Sequence, residues 1–243
     1  MNTIDVIFGA FLSGVILDAW LYGLICILSY QYYVNFPSDG RGTKLLVAWM
    51  VALQLFNVVV ESKTVYYYLI TSFGITENLA IATWELLLYL GLSSISAFSV
   101  QAYYAYRTYL LTKSRFLFAV IFGLALLQLG FGLATMAETF KVVIIAKLTT
   151  LTWVSVPWFA FAAACDLVIA AVQVVFLHRH RSGLPRTNRL IKILSLYILS
   201  TGLLTSVVAI VELTSFAAIG FNFPLVFLSV AMGALYVVSF LAK

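Results

Sequence analysis

Charge is what this sequence has least of. Only 9% of its 243 residues are Asp, Glu, Lys or Arg, against 63% apolar, where a soluble domain carries about 25% charged residues. With a mean hydropathy of +1.06, the chain cannot clothe itself in polar surface, which excludes an ordinary water-soluble enzyme. Two cysteines, Cys26 and Cys165, each inside an apolar run, exclude a disulfide framework and read as buried free thiols. Four prolines and two histidines, His178 and His180, leave little to interrupt long helices or to bind a metal. No Asn-x-Ser/Thr acceptor, Walker loop, His-Glu-x-x-His or Gly-x-Ser-x-Gly occurs, so no cofactor is expected. The only lysine of the last apolar run is the terminal Lys243, which excludes a retinal Schiff base within that span.

What is present is a succession of apolar runs. Helices are expected near 5–32, 44–70, 79–109, 116–138, 151–178, 189–216 and 222–242, each long enough for the roughly 30 Å of a bilayer core. They imply an all-α fold, a single seven-helix transmembrane domain over residues 1–243, integral to the plasma membrane or an endomembrane. The first run lacks the basic start and small-residue cleavage site of a signal peptide and is expected to stay as the first span. Turn residues punctuate the runs, notably Phe36-Pro37-Ser38-Asp39-Gly40.

The net charge of +5 does not point to nucleic acid, because the basic residues flank apolar runs in short loops. Of the 14 lysines and arginines, eleven fall on one side: Arg41, Lys44, Arg107, Lys113, Arg115, Arg179, Arg181, Arg186, Arg189, Lys192 and Lys243. Lys63, Lys141 and Lys147 fall on the other. The positive-inside rule makes the first side cytoplasmic and the bundle N-out, C-in. Tyrosines at 30, 32, 33, 66–68, 103, 104, 106 and 109 sit where spans should meet the interface. His178-Arg179-His180-Arg181 reads as a basic loop facing lipid headgroups.

Polar residues three, four, seven or eleven apart share a helix face, which in lipid should turn inward. Six spans carry such a face. They include Asp18, Tyr22 and Ser29 on the first; Gln54, Asn57 and Glu61 on the second; Glu85, Tyr89, Ser93 and Ser96 on the third. Gln128, Thr135 and Glu138 follow on the fourth, Asp166 and Gln173 on the fifth, Thr201, Thr205 and Glu212 on the sixth. With this topology Glu61, Glu85, Glu138 and Glu212 approach the outer surface, and Glu138 and Glu212 are expected to reach water. Asp18 and Asp166 lie near mid-membrane, where a charge costs about 2.5–3.5 kcal/mol on insertion scales. The expected site is an outward-facing polar cavity in which Asp18, Glu61, Glu85, Asp166, Ser96 and Tyr89 bind a small amphipathic or cationic ligand. Trp84, Trp153 and Trp158 form an outer aromatic belt or line that pocket.

Several stretches recur together in one known group of proteins. They are Leu21-Tyr22-Gly23 with Phe36-Pro37-Ser38-Asp39; Gln101-Ala102-Tyr103-Tyr104-Ala105-Tyr106-Arg107 before Lys113-Ser114-Arg115; Cys165-Asp166; Arg181-Ser182-Gly183 with Arg186-Thr187-Asn188; and Thr201-Gly202-Leu203-Leu204-Thr205. In their order and spacing the chain resembles a large fungal family, abundant in basidiomycetes, of seven-helix membrane proteins of unknown function. The resemblance implies a fungal source and the same topology. Family members often place an acid and histidines on the second span, where this chain has Gln54, Asn57 and Lys63, and continue into a polar cytoplasmic tail.

Three functions compete on the sequence. The leading one is a non-enzymatic receptor- or carrier-like bundle. The others are an intramembrane acid-initiated cyclase or isomerase of a lipophilic substrate and a proton-coupled transporter or channel. An enclosed aromatic pocket over a carboxylate favours the enzyme, a wide outward vestibule the binding protein, and a through-path the transporter. The lipid bilayer is the one partner that composition implies. The topology is testable: a cysteine introduced between Arg181 and Asn188 should react with an impermeant thiol reagent only after cells are opened. Labelling in intact cells reverses the assignment.

Overall fold

The computed structural model of the protein describes residues 3–142, 144, 150–179, 205–216 and 223–242. Lys147, His180, the Arg181–Asn188 loop, the expected span at 189–216 as far as residue 204, Gly220 and Lys243 lie outside the described residues. The described chain forms α1 (Thr3–Asn35), α2 (Arg41–Tyr66) with a π-helical turn at Tyr67–Thr71, and the short α3 (Thr76–Leu79). There follow α4 (Trp84–Thr112), α5 (Arg115–Val142) and α6 (Thr152–Arg179), α7 (Thr205–Phe216) and α8 (Phe223–Leu241). Among the described residues there is no strand; Ile81 and Ile144 meet in one isolated antiparallel bridge.

Six of these helices, α1, α2, α4, α5, α6 and α8, are long and apolar enough to cross a membrane, and α7 is a shorter apolar helix of 12 residues. Their outward faces are greasy: Ile16, Trp20 and Ile27 on α1, Phe56 and Val59 on α2, and Leu126 and Leu127 on α5 are all exposed. The inward faces carry the polar groups, with Asp18, Gln54, Glu61, Gln101, Gln128, Gln173 and Glu212 all buried. This inversion of the usual soluble pattern suggests a multi-pass membrane protein. Cys165 is buried, but Cys26 lies on the outward face, because its position on α1 falls beside Ile27 rather than on the Asp18 stripe.

Short connections make chain neighbours antiparallel. Between α1 and α2, Tyr32 donates to Asp39 Oδ2 at 2.9 Å and Tyr33 to the carbonyl of Lys44 at 2.8 Å. α4 stops where Lys113 takes a left-handed φ of 54° and its N–H bonds Tyr109 O at 2.8 Å. Such a position ordinarily favours glycine or asparagine. At the opposite end of the bundle, the π turn closes with Ser72 N–H on Tyr67 O at 2.9 Å. Tyr68 then donates to Ile81 O at 2.7 Å and accepts from Thr83 N at 2.9 Å, tying α2 to the entry of α4. Phe8 of α1 covers it, ring centroids 4.6 Å apart.

Helix α4 lies at the centre, touching α2, α5, α6 and α8, while α1 packs along α8 and closes the bundle. α1 and α8 run in the same direction, and Gly14 is what lets them meet. A Cβ there would stand 3.0 Å from Val230 Cβ and 3.1 Å from Phe227 O. Gly9 and Gly23 on the same helix have nothing within 4 Å. Replacing Gly14 by leucine should therefore cost about 1–3 kcal/mol of stability, whereas Gly9→Ala should be neutral or slightly stabilising. Thermal unfolding of the purified variants reads the difference.

Candidate functional site

At the end of the bundle where α1 begins, the helices part to form a crevice. Phe8 and Phe11 of α1, Tyr89 and Leu90 of α4, Thr135 and Thr139 of α5, Trp158 and Phe159 of α6, Phe216 of α7 and Ser229 of α8 contribute to its walls. The space open to the centres of water-sized molecules is about 90 Å³, ample beside the roughly 10–15 Å³ that one water requires. Its walls are aromatic and aliphatic, with hydroxyls at Tyr89, Thr135, Thr139, Ser155 and Ser229. The two threonines spend theirs on their own helix, Thr135 donating to Phe131 O at 2.8 Å and Thr139 to Thr135 O at 2.6 Å.

Trp158, Phe159 and Ser229 also line a second, smaller chamber deeper in the bundle, of about 20 Å³ on the same measure. This lower chamber is where polarity concentrates: Ser93, Gln128, Glu212, Ser229 and Tyr236 border it. Glu212 is 1% exposed, and Glu212 Oε1, Gln128 Oε1 and Ser93 Oγ have no hydrogen-bond partner. The expectation that Glu212 reaches water at the surface is thus corrected: α7 turns it toward α4, α5 and α8, and the aromatic layer of Trp158 and Phe159 lies over it. Glu138, by contrast, is partly exposed and pairs with Lys141 at 2.7 Å.

Trp158 sits where it does because α5 leaves it room. A Cβ on Gly132 would collide with Ser94 and come within 2.9 Å of Trp158 Nε1. Trp158 stacks on Phe159, centroids 5.1 Å apart. Trp84 and Trp153 point outward and are more than half exposed, so of the three tryptophans only Trp158 lines the crevice.

The six residues expected to form one site are distributed over five places. Tyr89 is in the crevice wall. Asp18 and Glu61 lie together between α1 and α2, where Gln54 Nε2 donates to both Asp18 oxygens at 2.9 Å and Asn57 Nδ2 to Glu61 Oε1 at 2.8 Å. Glu85 is at the rim, 2.8 Å from Lys63 Nζ, which lies 5.0 Å from the Trp84 ring centroid. Asp166 is held deep in the bundle, accepting from Gln101 Nε2 at 3.1 Å, from the Tyr236 hydroxyl at 2.9 Å and from Thr205. Ser96 is buried on α4. Asp18 and Asp166 thus have amide or hydroxyl donors from other helices, and both act first as cross-helix ties. The acid that faces a cavity without a partner is Glu212, which periodicity put on an inward face without revealing the aromatic roof above it.

Among the described residues no cluster of three or more His, Cys, Asp and Glu could hold a metal ion. Residues 162–243 match a family of unknown function, DUF6534. No curated protein and no solved structure matches the chain.

The tie at Asp166 is measurable. Asp166→Leu strands two or more buried donors and should cost about 2–5 kcal/mol, Tyr236→Phe about 1 kcal/mol. The double variant should lose less than the sum, by about 0.6–1.7 kcal/mol. Additive losses in a thermal-unfolding cycle would show that the 2.9 Å contact contributes nothing.

Proposed function

We propose that the chain is a seven-span membrane protein, N-terminus outside, that binds a small amphipathic molecule whose apolar body fills the aromatic crevice and whose cationic or hydrogen-bond-donating head reaches Glu212. The observation that carries this reading is the buried, unpartnered Glu212 Oε1 at the foot of an aromatic shaft. A buried acceptor without a donor costs free energy that a ligand donor would recover. Apolar walls with few convergent polar groups are the ordinary form of a small-molecule site. The excess of basic residues on the opposite side supports an outward-facing mouth.

The head group is specified more tightly than the body. Oxygen acceptors dominate the lower chamber, at Glu212, Gln128 and Ser93, so an ammonium, or a hydroxyl that donates, fits and a carboxylate does not. Trp158 and Phe159 present aromatic rings at the passage, a surface that suits a cation on its way in. With about 20 Å³, the chamber takes a compact head and leaves the chain above it.

A second reading draws on the same acid. A carboxyl group beneath aromatic rings is also the arrangement that protonates an alkene and shelters the resulting cation. An aromatic pocket over a carboxylate counts toward the enzyme, but this one is a crevice open at one end of the bundle rather than an enclosed cavity, and its narrow foot lets only the tip of a molecule reach Glu212, which favours binding. If turnover occurs, a polyunsaturated lipid incubated with the protein in nanodiscs will yield isomers of unchanged mass.

For binding, dodecylamine and dodecanoate of equal chain length are the discriminating probes. Dodecylamine should raise the unfolding temperature and quench tryptophan fluorescence saturably, and dodecanoate should not. Glu212→Gln should weaken the amine by about tenfold to a hundredfold, the worth of one charge-assisted hydrogen bond. Glu138→Gln should leave it unchanged. Equal responses to the two probes, or an unaltered Glu212→Gln, would sink the reading.

A further inference from the structure

The cluster between α1 and α2 has a surplus of oxygen that hydrogen bonding does not use up. Asp18, Gln54, Asn57 and Glu61 are all at most 1% exposed. Their four side chains offer six oxygens and only two amide NH₂ groups. Gln54 spends its amide on Asp18 and Asn57 spends its own on Glu61. Glu61 Oε2, Gln54 Oε1 and Asn57 Oδ1 remain without a partner. The Asp18 and Glu61 carboxyl groups are within reach of each other. The ion pairs among the described residues use Lys63 and Lys141 on other acids.

A neighbouring helix adds a further oxygen and a space. On α4, Ser93 Oγ is also buried and unpartnered. On α8, Gly233 faces this group: a Cβ built there would lie 3.4 Å from Ser93 Oγ and 3.5 Å from Gln54 Oε1. Two acceptor oxygens from different helices thus border a methyl-sized space, and one of them belongs to the Gln54 amide whose nitrogen holds Asp18. One proton shared between Asp18 and Glu61 would leave the amide oxygens and Ser93 unanswered. A cation draws on several oxygens at once. Four free oxygens are too few for calcium, which takes six to eight, and a methyl-sized space does not hold the waters that magnesium keeps.

We propose that Gln54, Asn57, Glu61 and Ser93, with Asp18 supplying a second carboxylate charge, form beside Gly233 an internal site for a small monovalent cation, sodium. Gln54 is the pivot: its amide group orients the Asp18 carboxylate while its carbonyl oxygen turns toward the ion. The ion balances charge that no basic side chain among the described residues balances. The site is separate from Glu212, although Ser93 borders both, and it stands whether or not the crevice binds an amine.

The test uses the purified full chain in nanodiscs, unfolded thermally in sodium, potassium, calcium or choline chloride at matched ionic strength, with direct ²²Na⁺ binding alongside. Sodium at ten times its Kd should raise the unfolding temperature by about 3–6 °C over choline; potassium and calcium should give less. Asp18→Asn should abolish both the shift and ²²Na⁺ binding. Gly233→Ala fills the space at ordinary contact distance, so it should fold and also lose the sodium response; Glu138→Gln should keep it. An identical unfolding temperature in all four salts, an equal or larger shift with potassium or calcium, or sodium binding retained in Gly233→Ala overturns the proposal.

Discussion

The bundle is governed by one constraint: helices whose outward faces are apolar must satisfy every polar side chain among themselves. Asp166 shows the constraint met in full. Donors arrive from Gln101 on α4, Tyr236 on α8 and Thr205 on α7, so one carboxyl fixes the register of four helices at a single level. Removing apolar packing from a bilayer protein costs little in transfer free energy, since lipid is as apolar as leucine. Ties of this kind, with the close approach at Gly14, then carry much of the specificity of assembly. The same rule makes exceptions informative. Where a buried oxygen is left unanswered, as at Glu212 or at Gln54 and Asn57, the fold has kept a cost that a ligand or ion could offset.

Much of this was legible in the sequence, and for a physical reason. A 3.6-residue period assigns each polar residue to a face, and lipid turns that face inward, so the stripes containing Asp18, Gln54, Asn57, Tyr89 and Asp166 could be read directly. The helix limits followed from the lengths of apolar runs: the expected 116–138 and 151–178 compare with Arg115–Val142 and Thr152–Arg179. Periodicity does not carry depth or partnership. Glu138 and Glu212 both fall within about one turn of the ends of their expected spans, yet one is partly exposed beside Lys141 and the other is sealed under Trp158. What separates them is the neighbouring helix, which no single-helix pattern contains. The six expected site residues likewise shared a chemistry and not a cavity.

The crevice was harder to foresee because its walls are ordinary core residues. Phe8, Phe11, Phe159 and Phe216 read in sequence as packing. They become a passage because residues of α1, α4, α5, α6, α7 and α8 surround one space at that end of the bundle, while Gly132 lets Trp158 settle against α5. A glycine on one helix thus positions an aromatic on another, at a level where Ser94 bonds back to Leu90 O at 2.9 Å and leaves its helix locally unencumbered.

The parallel contact of α1 with α8 bears on how the chain is made. Synthesis delivers the first helix long before the last, so the groove around Gly14 must wait for its occupant. Asp18 need not wait, because Gln54 belongs to the very next helix and can pair with it as the first hairpin forms. Asp166 is in the opposite position: Gln101 is already present when α6 emerges, but Thr205 and Tyr236 arrive only at the end. Closure of the bundle around Asp166 therefore waits for α7 and α8, whose Thr205 and Tyr236 complete the donors to that carboxyl.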